Sequence, residues 1–324
     1  MRIPILYKNR AMARIACPVC HQEEDALLFK FGTSLFPINI SLCRFCGFIF
    51  QNPRPSEKVW SEYYSSGYYD KFHRPRPYKE DMESKPVADT VPFKRINQYL
   101  LINGRRLGIV IKGNRVCEIG AGSGNVISAF DGNELYAIEP SEECRDVLKK
   151  KGINIVWSSI DQAKDSNYKF EIILMRHVLE HVYYPNSFLK TVSYLLADNG
   201  IMYIAVPNIL VSNRTIINMF TYPHISYFSI HSLQYLCRSV GYNVLDIEAD
   251  TDEIWCIISM NKNIHKDIEN KQKDINLTIN IIETKEILKR EKYTPRLLKR
   301  IFIRYLSNII PFRLQTYIYG RRNS

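Results

Sequence analysis

The stretch Val116-Cys117-Glu118-Ile119-Gly120-Ala121-Gly122-Ser123-Gly124-Asn125, followed one unit later by Leu135-Tyr136-Ala137-Ile138-Glu139-Pro140-Ser141, decides the fold. Arg115 to Ile119 reads as a short buried strand. Gly120, Gly122 and Gly124 let the chain turn sharply and pass close to a ligand, where a Cβ would collide. Asn125 to Phe130 is expected to start a helix whose amides face that ligand. The second strand, Leu135 to Ile138, ends at Glu139. A carboxylate at that distance beyond the glycine loop, about 20 residues, is placed to accept both hydroxyls of a ribose.

The spacing separates this loop from a dinucleotide site. A dinucleotide fingerprint reads G-x-G-x-x-G and seats a pyrophosphate on the helix N-terminus. Here the order is E-x-G-x-G-x-G, with Glu118 inside the motif. A carboxylate there repels phosphate and suits an ammonium group, so the expected ligand is a nucleoside with a cationic amino-acid tail. A dinucleotide oxidoreductase, or an accidental glycine-rich turn, is the alternative. The pattern resembles the first motif of the class I S-adenosylmethionine-dependent methyltransferases, and Glu139 matches their ribose-binding acid. The resemblance implies that Glu118, Gly120, Ala121, Gly122 and Gly124 hold the methionine end. Glu139 and Pro140 would then take the ribose, Ser159, Ile160 and Asp161 would lie along the adenine, and Arg176 would stand near the cofactor's carboxylate.

The remaining core follows from alternation. Ser141 can cap a helix stopped by Gly152, and Asn154 to Trp157 is the third strand. Phe170 to Met175 is apolar apart from Glu171, as suits a central parallel strand. It delivers Arg176-His177-Val178-Leu179-Glu180-His181-Val182 to the carboxyl edge, where open α/β sheets bind ligands. Ser187 to Leu196 is amphipathic, Ile201 to Val206 is the fifth strand, and Tyr242–Glu248 with Ile254–Met260 reads as a closing antiparallel hairpin. The expected fold is α/β, a doubly wound, mostly parallel seven-stranded Rossmann-like sheet.

Upstream, Cys17-Pro18-Val19-Cys20 and Cys43-Arg44-Phe45-Cys46 form two C-x-x-C pairs. Two such knuckles make a closed structural zinc site of four cysteines, with a redox pair or an iron–sulfur site as competing readings. The intervening sequence is too small for its own core, so the metal should fold it. Asn52-Pro53-Arg54-Pro55 punctuates the chain. In the tyrosine-dense piece that follows, Tyr64 or Tyr68 either covers the core or offers a phenol near the reacting centre. His73 to Pro92 reads as an exposed loop, and Val91 to Leu101 as a helix. These features are similar to a methyltransferase subgroup with an N-terminal zinc module, which includes sugar C-methyltransferases acting on nucleotide-linked deoxysugars. In Thr221-Tyr222-Pro223-His224-Ile225-Ser226-Tyr227-Phe228, His224 matches that subgroup's basic histidine, whereas Pro223 stands where its glutamate would be. The expected reaction is therefore O-methylation of a sugar, glycan intermediate or other small acceptor. His224 and His181 are the candidate bases, since an imidazole near its ordinary pKa can take a hydroxyl proton, and Tyr64 is the candidate phenol. C-methylation, RNA methylation and a non-enzymatic zinc-ribbon adaptor remain as alternatives. His177 and His181 lie four apart but lack the H-E-x-x-H arrangement and a third metal ligand.

The chain has 324 residues, is 46% hydrophobic and carries a net charge of +11. Most of that charge falls between Lys266 and Arg322, so the core is near neutral, which argues against a grip on nucleic acid. No apolar run approaches the length of a membrane span, and no secretory signal is evident. Paired cysteines without signs of secretion point to a reducing, cytoplasmic setting. Thr294 to Pro311 reads as a basic amphipathic helix that packs on the core, on a second subunit or on an anionic membrane. The membrane option would place the protein at the inner face of a membrane and suit a lipid-linked acceptor. The expected organisation is a zinc-ribbon module over 1–55, a Tyr-rich lid over 56–114, the cofactor-binding core over 115–262 and a basic helical extension over 263–324.

Overall fold

The computed structural model describes residues 12–32, 37–65, 90–163, 166–209, 220–221, 223–250 and 252–261. The expected extension over 263–324 with its segment 294–311, the loop over 73–89, and Tyr68 and Tyr222 lie outside the described residues. The N-terminal part forms strands β1 (Met12–Ala13), β2 (Asp25–Gly32), β3 (Pro37–Cys43), β4 (Ile49–Gln51) and β5 (Arg54–Pro55), then helix α1 (Glu57–Ser65). β2, β3 and β4 pair antiparallel, and β1 pairs with β5. Helix α2 (Val91–Leu107) runs further than Leu101 and stops where Gly108 takes a left-handed φ of 69°. That conformation is the usual helix-ending role of glycine.

The core then alternates β6 (Arg115–Ile119), β7 (Glu134–Ile138), α3 (Glu142–Lys150), β8 (Asn154–Trp157), β9 (Phe170–Arg176), α4 (Pro185–Ser193) and β10 (Leu196–Pro207). After β11 (Ser226–Tyr227) and α5 (Ile230–Val240), the chain ends its described core with β12 (Asn243–Ala249) and β13 (Glu253–Ser259). The seven-stranded sheet has the order β12-β13-β10-β9-β6-β7-β8. β8, β7, β6, β9 and β10 are mutually parallel, and β13 lies antiparallel to both β10 and β12. This is the expected sheet, including its closing hairpin. Ile172, Ile173, Leu174 and Met175 of β9 are all buried, because helices cover both faces of a central parallel strand. Between β6 and β9 the order of connections reverses, which opens a crevice at their carboxyl ends.

Two features differ from expectation. Only a short 3-10 turn, Ile127–Ala129, follows the glycine loop in place of a helix. There the Glu118 carboxylate accepts the Ile127 N–H at 3.1 Å, and Ile127 and Phe130 turn into the core. The second is β11, which leaves the core to pair antiparallel with β4 and so completes the N-terminal sheet. Gln51 reinforces the join: its side-chain amide donates to the His224 carbonyl at 2.7 Å and its backbone N–H to the Ile225 carbonyl at 3.0 Å. One apolar cluster accordingly holds Cys43, Phe48 and Phe50 together with Phe228, Leu233 and Leu236. No helix among the described residues is long and apolar enough to cross a membrane.

Candidate active site

A cavity of about 500 Å³ opens at the carboxyl ends of β6, β7 and β9. At one end Gly120 sits at φ 71°, and a Cβ there would meet Val178 Cγ2 at 2.5 Å. Gly120 and Val178 both line the cavity, so the bare glycine is what keeps its wall open. Gly120→Ala is expected to destabilise the fold by about 1–3 kcal/mol, from the left-handed φ and the clash combined. It should also weaken S-adenosylmethionine binding at least roughly tenfold, which is ~1.4 kcal/mol. Calorimetric titration alongside thermal unfolding checks both. A variant that unfolds earlier yet binds normally would detach the loop from the site.

Glu139 is 2% exposed, and both its oxygens are fixed by backbone donors. Oε2 accepts from Gly122 N–H at 2.8 Å and Oε1 from Ser141 N–H at 2.9 Å. A carboxylate oxygen can accept more than one hydrogen bond, as a diol would ask of it. Glu139 and Pro140 line the cavity, as do Ser159, Ile160 and Asp161 further along. An open glycine turn beside a pre-set acidic strand end fits the nucleoside part of S-adenosylmethionine.

Other predicted residues stand elsewhere. Ala121, Gly122 and Gly124 shape the loop from behind; Gly124 packs where a Cβ would approach Leu148 Cδ2 at 2.6 Å. Glu118, expected to meet an ammonium group, is 3% exposed and lies behind the loop rather than on the cavity wall. Burial pushes its carboxyl up to about 8, with the Ile127 N–H opposing. Arg176, expected beside a carboxylate of the cofactor, instead donates from Nε to Glu253 Oε2 at 3.0 Å and is also off the wall. Its neighbour His177 lines the cavity.

The other end of the cavity is roofed by α1, which contributes Trp60, Ser61 and Tyr64. Tyr64 Oη lies 2.9 Å from His181 Nδ1, and the Pro223 carbonyl oxygen lies 2.7 Å from the same nitrogen. A carbonyl only accepts, so the proton belongs on Nδ1 and the lone pair on Nε2. Trp60 Nε1 donates to the His181 carbonyl at 2.8 Å, which ties the roof to the turn Leu179–His181. The His224 ring stands edge-on to the His181 ring, 4.8 Å between centroids, behind the wall that His181 forms. Glu180 is 1% exposed, with Oε1 3.9 Å from His181 Nε2. Burial would raise its carboxyl, but the hydrogen bond to His177 and the adjoining His181 and His224 bring it below the ordinary value.

Sequence reasoning missed Trp60, Tyr183 and Tyr184, all of which line the cavity. The four-residue spacing of Trp60 and Tyr64 on a helix was the available signal. Arg54 had no such signal. It is fully buried, donates from Nη2 to the Tyr183 carbonyl at 2.6 Å and lies 3.8 Å over the Tyr183 ring. The punctuating Asn-Pro-Arg-Pro segment thus props one wall of the cavity.

Outside the cavity, Cys17 Sγ and Cys46 Sγ are 3.6 Å apart, and Cys20 Sγ and Cys43 Sγ 3.5 Å. All four sulfurs lie within 4.8 Å of one another. A tetrahedral zinc ion with bonds of ~2.3 Å needs sulfurs about 3.8 Å apart, so the donor set fits.

Residues 93–247 match the family model described as a methyltransferase domain. Over 151 residues the chain is 25% identical to the C-methyltransferase NovU of Streptomyces niveus, which covers 44% of this chain and 36% of that protein. The chain thus aligns with little more than a third of that relative's length. Among solved structures, 1,6-didemethyltoxoflavin-N1-methyltransferase of Burkholderia thailandensis is 16% identical with a TM-score of 0.49, covering 66% of this chain and 96% of that one. An S-adenosylmethionine-dependent methyltransferase of Clostridium acetobutylicum ATCC 824 is 12% identical with a TM-score of 0.42, over 60% of this chain and 97% of that one. The sheet order, the glycine turn and the acidic end of β7 agree with the methyltransferase domain that residues 93–247 match.

Proposed function

We propose that the protein methylates an oxygen of a small hydroxylated acceptor, such as a sugar or glycan intermediate, free or carried on a nucleotide or lipid. Cys17, Cys20, Cys43 and Cys46 hold a structural zinc ion in this reading, and the thiols suit a cytoplasmic setting. The observation that carries it is the Tyr64–His181 contact of 2.9 Å on the wall of a cavity whose far end presents Glu139. When bound, S-adenosylmethionine supplies a sulfonium methyl open to in-line displacement. Gly120, Glu139, Pro140 and Ser159 to Asp161 orient the nucleoside. Trp60 and Ser61 of the roof exclude water, so that alignment in a dry pocket does most of the work. As the acceptor oxygen becomes a nucleophile, its proton passes to the cluster of Tyr64, His181 and His224. Glu180 beside them offsets the positive charge that arrives. His181 precedes His224 in this order because it reaches the wall. The match to a C-methyltransferase favours a second reading, in which the same cluster removes a proton from carbon. The position of the methyl group in the product separates the two.

The test is calorimetric titration of the purified chain with S-adenosylmethionine and, separately, NADH, followed by an acceptor screen. Saturable binding of the first alone is expected, and His181→Ala should then lower turnover at least about a hundredfold with cofactor affinity unchanged. Full turnover in that variant would remove His181 from the chemistry. Binding of neither ligand would turn the reading to a non-enzymatic adaptor.

A further inference from the structure

His177 lies where β9 meets the cavity and has a left-handed φ of 55°, uncommon for a residue with a side chain. Its backbone N–H is held by the Ala205 carbonyl at 2.9 Å. That backbone setting leaves the imidazole between two carboxylates: Nδ1 is 3.3 Å from Glu180 Oε1 and Nε2 is 3.3 Å from Glu253 Oε2. Glu253, 5% exposed at the start of β13, is itself anchored by Arg95 Nη1 at 2.8 Å and Arg176 Nε at 3.0 Å. Arg95 is fixed in turn by Asp250 at 2.8 Å and Tyr203 Oη at 2.8 Å. A chain of alternating charge therefore runs from Arg95 through Glu253 and His177 to Glu180, beside which stand His181 and His224.

Glu180 is the vulnerable link. It is 1% exposed, and its Oε2 has no hydrogen-bond partner among the described residues. The groups that face it are His177, His181 and His224. A buried carboxylate without a cation takes up a proton rather than stay charged. His177 answers this need without competing for the acceptor's proton, because each of its ring nitrogens already faces a carboxylate. Burial and the nearby Arg176 oppose its charge, yet Glu180 and Glu253 prevail and push the imidazole up to about 9.

We propose that His177 is a positioning residue: fixed as a cation between Glu253 and Glu180, it keeps the buried Glu180 ionised, ready to balance the charge that His181 and His224 gain. The role of His181 and His224 rests on the function proposed above; the effect of His177 on Glu180 does not. Its test is a pH titration by NMR of the full, zinc-loaded chain labelled with 13C at glutamate carboxyls and histidine rings. Glu180→Gln and His177→Gln assign the two signals. In the unmodified chain, His177 is expected to stay protonated and Glu180 ionised across about pH 6 to 8, the range where an ordinary histidine titrates. In His177→Gln, which keeps a polar side chain but no charge, Glu180 should take up a proton within that range. His177→Lys should return it to the ionised form, a rescue that a packing role would not produce. Should His177→Gln fail to fold, Glu253→Gln carries the same test, with His177 losing its proton and Glu180 gaining one over the same range. Two results would overturn the proposal: an ordinary imidazole titration of His177 in the unmodified chain, or an unmoved Glu180 signal in the variants. Full activity of His181→Ala would instead count against the assigned proton acceptor and leave the Glu180 titration as it is.

Discussion

Replacing Cys43 by Ser is expected to empty the four-cysteine cluster and lower the unfolding midpoint of the whole chain by more than about 10 °C. Cys43 closes β3, is fully buried, lies 3.5 Å from Cys20 Sγ and also accepts the Cys46 N–H at 3.5 Å. Three remaining thiolates cannot close a tetrahedral shell, and a hydroxyl is a poor substitute ligand for zinc. Structural zinc contributes roughly 10–16 kcal/mol of binding free energy to small modules, and that energy is folding energy. Losing about half of it suffices, since ~1 kcal/mol moves the midpoint of a domain of 150–250 residues by about 2–4 °C. The loss would not stay local. The Phe48 ring sits 5.3 Å from that of Phe228, and β11 would lose its partner strand. Zinc content by mass spectrometry and thermal unfolding by circular dichroism give the two readouts. One zinc per chain in the variant, or a metal-free variant melting with the parent, would end the structural-zinc reading.

Glu139→Ala is expected to weaken S-adenosylmethionine binding by about two to four orders of magnitude, from two charge-assisted hydrogen bonds at roughly 1.5–3 kcal/mol each. The carboxylate also accepts the Gly122 and Ser141 N–H groups, so the variant leaves two backbone donors beside the cavity without their partner. Each such donor costs about 1–3 kcal/mol where it stays dry. Glu139→Gln separates the contributions: it retains the shape and one acceptor but turns its NH2 group toward the other backbone N–H, so it should recover only part of the stability and part of the affinity. Calorimetry against both variants, with unfolding midpoints alongside, makes the measurement. Affinity within threefold of the parent in Glu139→Ala would exclude it from the nucleoside site.

The seven-stranded sheet was legible because its causes are local. A short apolar run such as Ile172 to Met175 suits a strand buried on both faces, and the glycines and Glu139 mark the carboxyl edge. The place of Gly120, Glu139, Pro140 and Ser159 to Asp161 along one cavity wall followed from the same marks. The polar end was readable as a list of residue types and not as a geometry. Glu118 and Arg176 were assigned from their place in a motif, yet side-chain direction and a partner on a distant strand decide where they point. For Arg176 that partner is Glu253 on β13, a contact with no periodic trace in the sequence. Gly120 and Val178 are a similar case, since the glycine's need is created by a side chain that a different strand delivers. β11 was illegible for another reason: two residues are too few to show a period of two, and their partners lie at the opposite end of the chain.

That last join sets a timetable for folding during synthesis. Gln51 bonds to Thr221 across 170 positions and to the Tyr227 hydroxyl across 176. At roughly 5–20 residues per second, the ribosome releases the cysteine knuckles on the order of ten to thirty seconds before the strand that completes their sheet. Throughout that interval β4 is an open edge next to a row of phenylalanines, the kind of surface that recruits other nascent chains. On the proposal that the four cysteines hold zinc, an ion captured early would keep the knuckles closed while the edge waits, and zinc supply during translation would set how much of this chain reaches its native state.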